Sequence, residues 1–325
     1  MQELKTFELG RAMLEDYLDT SLYPARLDVT EAQSLHDALT AQQIAPDTPL
    51  LTFENEEHLY GIPMTVVLSY NVMQGHTPDD QPWMMTFCNA CNTGMVFDPV
   101  VDGQSLHFRR RGSYDGLLLI WDEETDSYWQ HITGECLYGP SRGKQLRTIT
   151  TTRRMTTIEA VAGYAKPHLL THTLTPEQER LSRAMERMRA NPEKVEAGIF
   201  SQINVEDTRR PRFELGLGVW NGHTSTFFPL TLLHQHNNAL MTEFDGRQML
   251  IYQTPDALSP IAVFKDSQQA RWAGGVLRLD NGAYIQNDGY HTGDRQSQPL
   301  ERPMQLLMRW YGFALTFPGC RLPAL

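Results

Sequence analysis

No stretch of the 325-residue sequence approaches the run of about 18 apolar residues that a membrane-spanning helix requires. The opening Met1-Gln2-Glu3-Leu4-Lys5 also lacks a basic segment followed by an apolar core. The expectation is a soluble chain that is neither membrane-bound nor exported, in a cytoplasmic setting. Cysteine is scarce: there are four in the chain, and only Cys88 and Cys91 are close together. That is too few for a disulfide scaffold and fits a reducing compartment. Basic residues are outnumbered, 28 Lys and Arg against 39 Asp and Glu, for a formal charge of -11. A surface of that sign repels a phosphate backbone, so nucleic acid is not expected as a partner. Glycine-rich phosphate loops are missing too, which leaves a nucleotide-binding reading without support.

What is present is ordinary globular composition, 41% hydrophobic and 10% aromatic, enough for a full core. Apolar spacings of three and four predict an amphipathic helix over Gln2 to Asp19. A second helix is expected from Thr30, its candidate cap, to Gln43, with Pro46 as a stop. From Leu50 onward short β-prone runs dominate: Leu50 to Phe53, His58 to Ile62, Trp83 to Phe87, Met95 to Phe97, Ser105 to Phe108, Leu117 to Trp121 and Gln145 to Ile149. The pattern returns to helix between about Thr156 and Ile199. There Glu177 to Arg189 is charged except for a stripe of Leu181, Met185 and Met188, which suits a helix lying outside the core. Asn221-Gly222 between Phe213 to Trp220 and His223 to Phe228 is a strong hairpin signal.

Pro63 to Asn71 aligns without a gap on Pro229 to Asn237, a weak internal repeat that suggests two packed halves with a ligand cleft between them. The expected fold class is accordingly α+β and β-rich, with two weakly related β-rich halves. Its divisions are an N-terminal helical segment at 1–48, a first half carrying the C-x-x-C turn at 49–155, a helical linker at 156–205 and a second half at 206–325.

Chemistry concentrates at Cys88 and Cys91, on a tight turn before Asn92-Thr93-Gly94. Two thiols at this spacing can face one metal ion, or form a reversible disulfide while backbone N–H groups stabilise a thiolate. Cys136 is a candidate third soft ligand and His236 a candidate imidazole ligand, although a strand would align His234 with His236 whereas a helix would split them. His107 and His131 are better placed by sequence as ligands, since each lies in the segment following the cysteine turn, but both are read first as satisfied core or surface histidines, and Cys320 as structural or incidental. The triplet Arg109-Arg110-Arg111 can bind a carboxylate or phosphate bidentately, though such triplets are more often solvated turns.

The run Thr86-Phe87-Cys88-Asn89-Ala90-Cys91-Asn92-Thr93-Gly94-Met95-Val96-Phe97-Asp98 resembles the signature of the domain of unknown function 3179 (DUF3179) family. So do Asp126-Ser127-Tyr128-Trp129-Gln130, Thr133-Gly134-Glu135, Gly139-Pro140 and the closing Arg309-Trp310-Tyr311-Gly312-Phe313-Ala314. The resemblance covers most of residues 57–149 and, more weakly, 213–322. It departs from the family at Asn89, where Pro is usual, at Asn92, where Gly is usual, and at Tyr70, where relatives often place a His that the second half keeps as His236. Cys136 stands where relatives tend to have Ala. Cys88 to Phe97 is also similar, with spacing off by one, to the cysteine turn of organomercurial lyases, which points toward soft-metal chemistry.

Three functions are therefore carried forward. The first is a metal-binding protein, in its stronger form a metalloenzyme, holding a soft or borderline ion such as copper, zinc or iron. The second is a thiol-disulfide redox enzyme using Cys88 and Cys91 catalytically. The third is a non-catalytic module binding a small molecule along Trp121, Tyr128, Trp129 and Trp310.

Overall fold

The computed structural model describes residues 12–14, 26–192, 203, 205–254, 257–287, 289–292, 297–298 and 300–323. Strands dominate, in several small and mostly antiparallel sheets. The expected runs near residues 50, 58, 83, 95 and 117 all become strands: Pro49–Asn55, His58–Pro63, Pro82–Thr86, Met95–Asp98 and Leu117–Asp122.

One five-stranded sheet runs, in order, Arg147–Thr151, Met95–Asp98, Pro82–Thr86, Val72–His76 and Leu27–Val29. A second runs Ala12–Leu14, Phe108–Tyr114, Leu117–Asp122, Tyr128–Gln130 and Cys136–Tyr138. A third contains the hairpin of Pro49–Asn55 and His58–Pro63, flanked by Arg153–Thr156 and Pro167–Leu170. In the later part of the chain, Asn221-Gly222 turns the hairpin of Leu215–Trp220 and Ser225–Pro229 as expected. Met304–Arg309 adds as its third strand. In both hairpins the second strand ends in a proline that caps a short helix, Met64–Val67 after Pro63 and Leu230–Gln235 after Pro229.

Three helical expectations and one strand expectation need correcting. Of the expected helix Gln2 to Asp19, Ala12–Leu14 is a strand paired with Phe108–Tyr114, and the remainder lies outside the described residues. The helix expected from Thr30 begins only at Leu35, capped by the Ser34 hydroxyl, because Ala32–Ser34 is first drawn into pairing with Pro167–Leu170. Pro167–Leu170 itself was expected to be helical. It is a strand, parallel to His58–Pro63, since tertiary pairing overrides local propensity in so short a segment. The run expected over Ser105 to Phe108 is split between Gln104–Ser105 and Phe108–Tyr114.

The charged helix forms as Pro176–Ala190, with Pro176 in its first turn and a reciprocal capping box between Thr175 and Gln178. It is not wholly outside the core. Met185 and Met188 pack against two different hydrophobic clusters. The larger cluster joins Phe97, Trp129, Cys88 and Cys91 to Phe227, Met308, Trp310 and Phe313, so the cysteine turn sits where early and late chain segments meet. A separate cleft of about 500 Å³ lies between the strands around Thr52 and Arg153 and those around Ile261 and Gln305. Among the described residues, no helix is long and apolar enough to cross a membrane.

Candidate metal centre

Strand Pro82–Thr86 delivers the chain into a turn closed by Cys88 N–H donating to the Thr93 carbonyl (2.8 Å) and Asn92 N–H to the Cys88 carbonyl (2.8 Å). The turn needs a left-handed residue, and Asn92 supplies it at φ 65°. Asn is the side-chain-bearing residue best suited to that conformation. Gly94 is required for a different reason: a Cβ there would lie 1.9 Å from the Thr86 carbonyl oxygen.

Inside this turn the Cys91 N–H donates to Cys88 Sγ at 3.2 Å, and Cys91 Sγ lies 3.6 Å from His131 Nε2. One ligand atom each from Cys88, Cys91 and His131 falls within 4.8 Å of the others, and all three residues are buried. Thr86 holds the histidine segment in place, its hydroxyl donating to the His131 carbonyl at 3.2 Å. The His131 Nδ1 is buried without a hydrogen-bond partner.

The later chain segments lock the turn from the other side. Arg309 N–H donates to the Cys91 carbonyl (3.0 Å), its Nη1 to the Ala90 carbonyl (2.7 Å) and its Nη2 to the Arg189 carbonyl (2.5 Å). Arg189 in turn donates to Asn92 Oδ1 at 3.1 Å. Gly312 packs so closely that a Cβ would meet Cys91 Cβ at 3.1 Å.

The two thiols are driven apart electrostatically. Burial, the largest single effect, opposes ionisation of Cys88. Hydrogen bonds from Cys91 and His131, the His131 charge and the Cys91 backbone N–H together outweigh it and hold the Cys88 thiol well below its ordinary value. Cys91 is pushed well above by burial and by its proximity to Cys88. Cys88 also lines a pocket of about 180 Å³ with Asn71, Asn89, Arg110, Met185 and Met188.

Cys136 and His236 do not join the group. The Cys136 thiol donates to the Tyr138 carbonyl (3.3 Å) and burial pushes it up to about 11. His234 and His236 are both exposed, because Leu232 and Leu233 occupy the buried face of their short helix. His107 is a surface histidine bonded to Glu124. His168 and His172 have the H-x-x-x-H spacing, but their chain is extended there and the rings part, His168 to His58 (2.8 Å) and His172 to the Tyr70 hydroxyl (2.8 Å). Trp129, Trp310 and Tyr128 are core residues.

His131 and Arg309 are thus the site residues that spacing alone did not reveal. Each nevertheless carried a signal. His131 lies between the landmarks ending at Gln130 and starting at Thr133, and Arg309 opens the aromatic closing segment.

A family model described as a protein of unknown function (DUF3179) matches residues 28–318. No curated protein and no solved structure matches the chain.

Proposed function

The chain belongs to the DUF3179 family, whose function is unknown, so its chemistry has to be read from its site, and we propose that it is a metal-binding protein holding one soft or borderline ion through Cys88, Cys91 and His131. The observation that carries this reading is the convergence of two sulfurs and one imidazole nitrogen within 4.8 Å in a buried turn. Thiolate and imidazole donors suit copper, zinc or iron, and three protein donors leave a zinc-like ion one position for water or substrate. Cys88 is the donor that also borders the 180 Å³ pocket, the arrangement a metalloenzyme needs. Metal ligation requires deprotonated sulfur, and the depressed Cys88 thiol favours it.

A cytoplasmic, reducing setting belongs to this reading, supported by four free cysteines, as do a small molecule or metal ion as partner and the absence of nucleic-acid and membrane roles. The repeated order of hairpin, proline-capped short helix and antiparallel strands favours two related halves, with the 500 Å³ cleft between them.

The test is elemental analysis of untagged protein alongside a thiol count. Near-stoichiometric metal is expected, falling to background in the Cys88→Ser/Cys91→Ser double variant and strongly reduced in His131→Ala. Folded wild-type protein that stays metal-free after incubation with zinc, copper(I) and iron(II) sinks the proposal.

One observation favours a second reading as a thiol-disulfide centre: the Cys91 N–H donates to Cys88 Sγ, which stabilises a thiolate on the cysteine bordering the pocket while Cys91 lies behind it. Rapid alkylation of Cys88 alone in metal-free protein, with a measurable reduction potential, would favour it. Two inert thiols would remove it.

A further inference from the structure

The surroundings of Cys88, Cys91 and His131 discriminate between ions. Arg309 is buried beside them, its Nη1 and Nη2 donating to the Ala90 and Arg189 carbonyls while its Nε has no hydrogen-bond partner. Among the described residues no carboxylate pairs with it. Burial opposes its charge, and the groups that offset this are Tyr311 and the Cys91 and Cys88 thiols. Tyr311 cannot serve, because burial holds its hydroxyl well above the ordinary value and it donates to the Gly116 carbonyl at 3.1 Å as a neutral phenol. A guanidinium stays charged when buried and needs an opposite charge close by. The negative charge for Arg309 therefore comes from the two sulfurs.

That requirement separates monovalent from divalent ions. Two thiolates and a neutral imidazole around a divalent ion leave no net charge, whereas around Cu(I) they leave one negative charge beside Arg309. Donor number points the same way. Zinc takes four ligands, and the group here offers three, enough for a trigonal Cu(I). The histidine is an independent indication. A metal-bound imidazole almost always donates its far N–H to an acceptor, which raises its basicity, but His131 is fully buried and its Nδ1 has no partner. An imidazole without that support is a weak third donor, adequate where sulfur does most of the binding. The 180 Å³ pocket that Cys88 borders is also lined by Met185 and Met188, from the helix Pro176–Ala190, and by no Asp, Glu or His. Thioether and thiolate sulfur select Cu(I), whereas carboxylates suit harder ions.

We propose that the buried group of Cys88, Cys91 and His131 is a Cu(I) site closed at three ligands, its remaining negative charge neutralised by Arg309 and its approach the methionine-lined pocket. This rests on the reading of the three residues as a metal centre and names the ion. Copper enters as Cu(I) and displaces the thiol protons, with no change of oxidation state.

The experiment is anaerobic titration of the full chain with Cu(I) buffered by bicinchoninate and, separately, with buffered zinc, followed by X-ray absorption at the copper edge. One Cu(I) per chain is expected, with two sulfurs and one nitrogen around it. Free zinc at about 1 µM, enough to fill a structural zinc site, is expected to leave the protein largely empty. Arg309→Gln removes the charge and should lower the ratio of Cu(I) to zinc affinity by about tenfold or more, while Arg309→Lys keeps that ratio near the wild-type value. An arginine with a merely structural role would move both affinities together. Zinc filling wild-type protein at that concentration, a four-coordinate copper, or an unchanged ratio in Arg309→Gln overturns the copper assignment and leaves the metal reading standing. Protein that takes up neither ion overturns both. The wild-type comparisons decide the matter even if the arginine variants do not fold.

Discussion

Arg309 supplies the cysteine turn with bonds that the turn cannot make for itself. Its planar fork spans the Ala90 and Arg189 carbonyls while its own amide holds the Cys91 carbonyl, and it is 2% exposed. A lysine carries the charge but not the fork. Arg309→Lys is expected to cost about 1.5–3 kcal/mol, read by urea denaturation, and to speed alkylation of Cys91 in the folded protein. An unchanged alkylation rate would mean that Arg309 only fills space. Gly94→Ala is expected to destabilise by about 1–3 kcal/mol or more, because the Thr86 carbonyl beside it must move. The contrast between the cysteines and their partners explains how much of the site the sequence disclosed. Cys88 and Cys91 are three residues apart, and a single turn brings them together, so spacing was enough to find them. His131 is 40 residues beyond Cys91 and Arg309 is 219 beyond Ala90, and both arrive by sheet topology, which no local pattern encodes.

The helix Pro176–Ala190 was legible in outline. Proline at its start, a polar body and Asn191-Pro192 at its end are local chemistry, and local chemistry placed it within a residue or two. Its capping box is testable: Thr175→Ala should lower stability by about 1 kcal/mol, measured by thermal or urea unfolding, and an effect near zero would show that packing alone holds that end. What the charge pattern concealed is that this helix also contributes Met188, the Arg189 side chain and the Arg189 carbonyl to the site. The short strands Leu27–Val29, Ala32–Ser34 and Pro167–Leu170 were illegible for the opposite reason. Three or four residues carry too little periodicity to declare a strand, and each exists because a longer partner accepts it.

Across the whole molecule, two histidines report on pH. His168 is held below 6.5 by burial and by the nearby His58 and Lys166 charges, and His172 by burial. The unfolded chain therefore takes up these protons first. The stability the neutral rings contribute is intact above about pH 6.5 and is lost as pH falls below it towards their folded-state values. The urea midpoint should drop between about pH 7.5 and about pH 5.5, and the His168→Gln/His172→Gln variant should show a smaller drop. Equal slopes in both proteins would assign the pH response elsewhere. The Glu123 carboxyl, bonded by Arg109 and near Arg26, is held below its ordinary value and acts outside this window.

The link from Arg309 to Ala90 has a further consequence in time. On a ribosome adding about 5–20 residues per second, the 219 residues that separate them take on the order of 10–40 s to make. For that interval both thiols have been synthesised but the segment that seals them has not. The nascent chain thus offers its cysteines to solvent, oxidant or donor before the finished fold encloses them, and a cell that fills this site has its easiest access before translation ends.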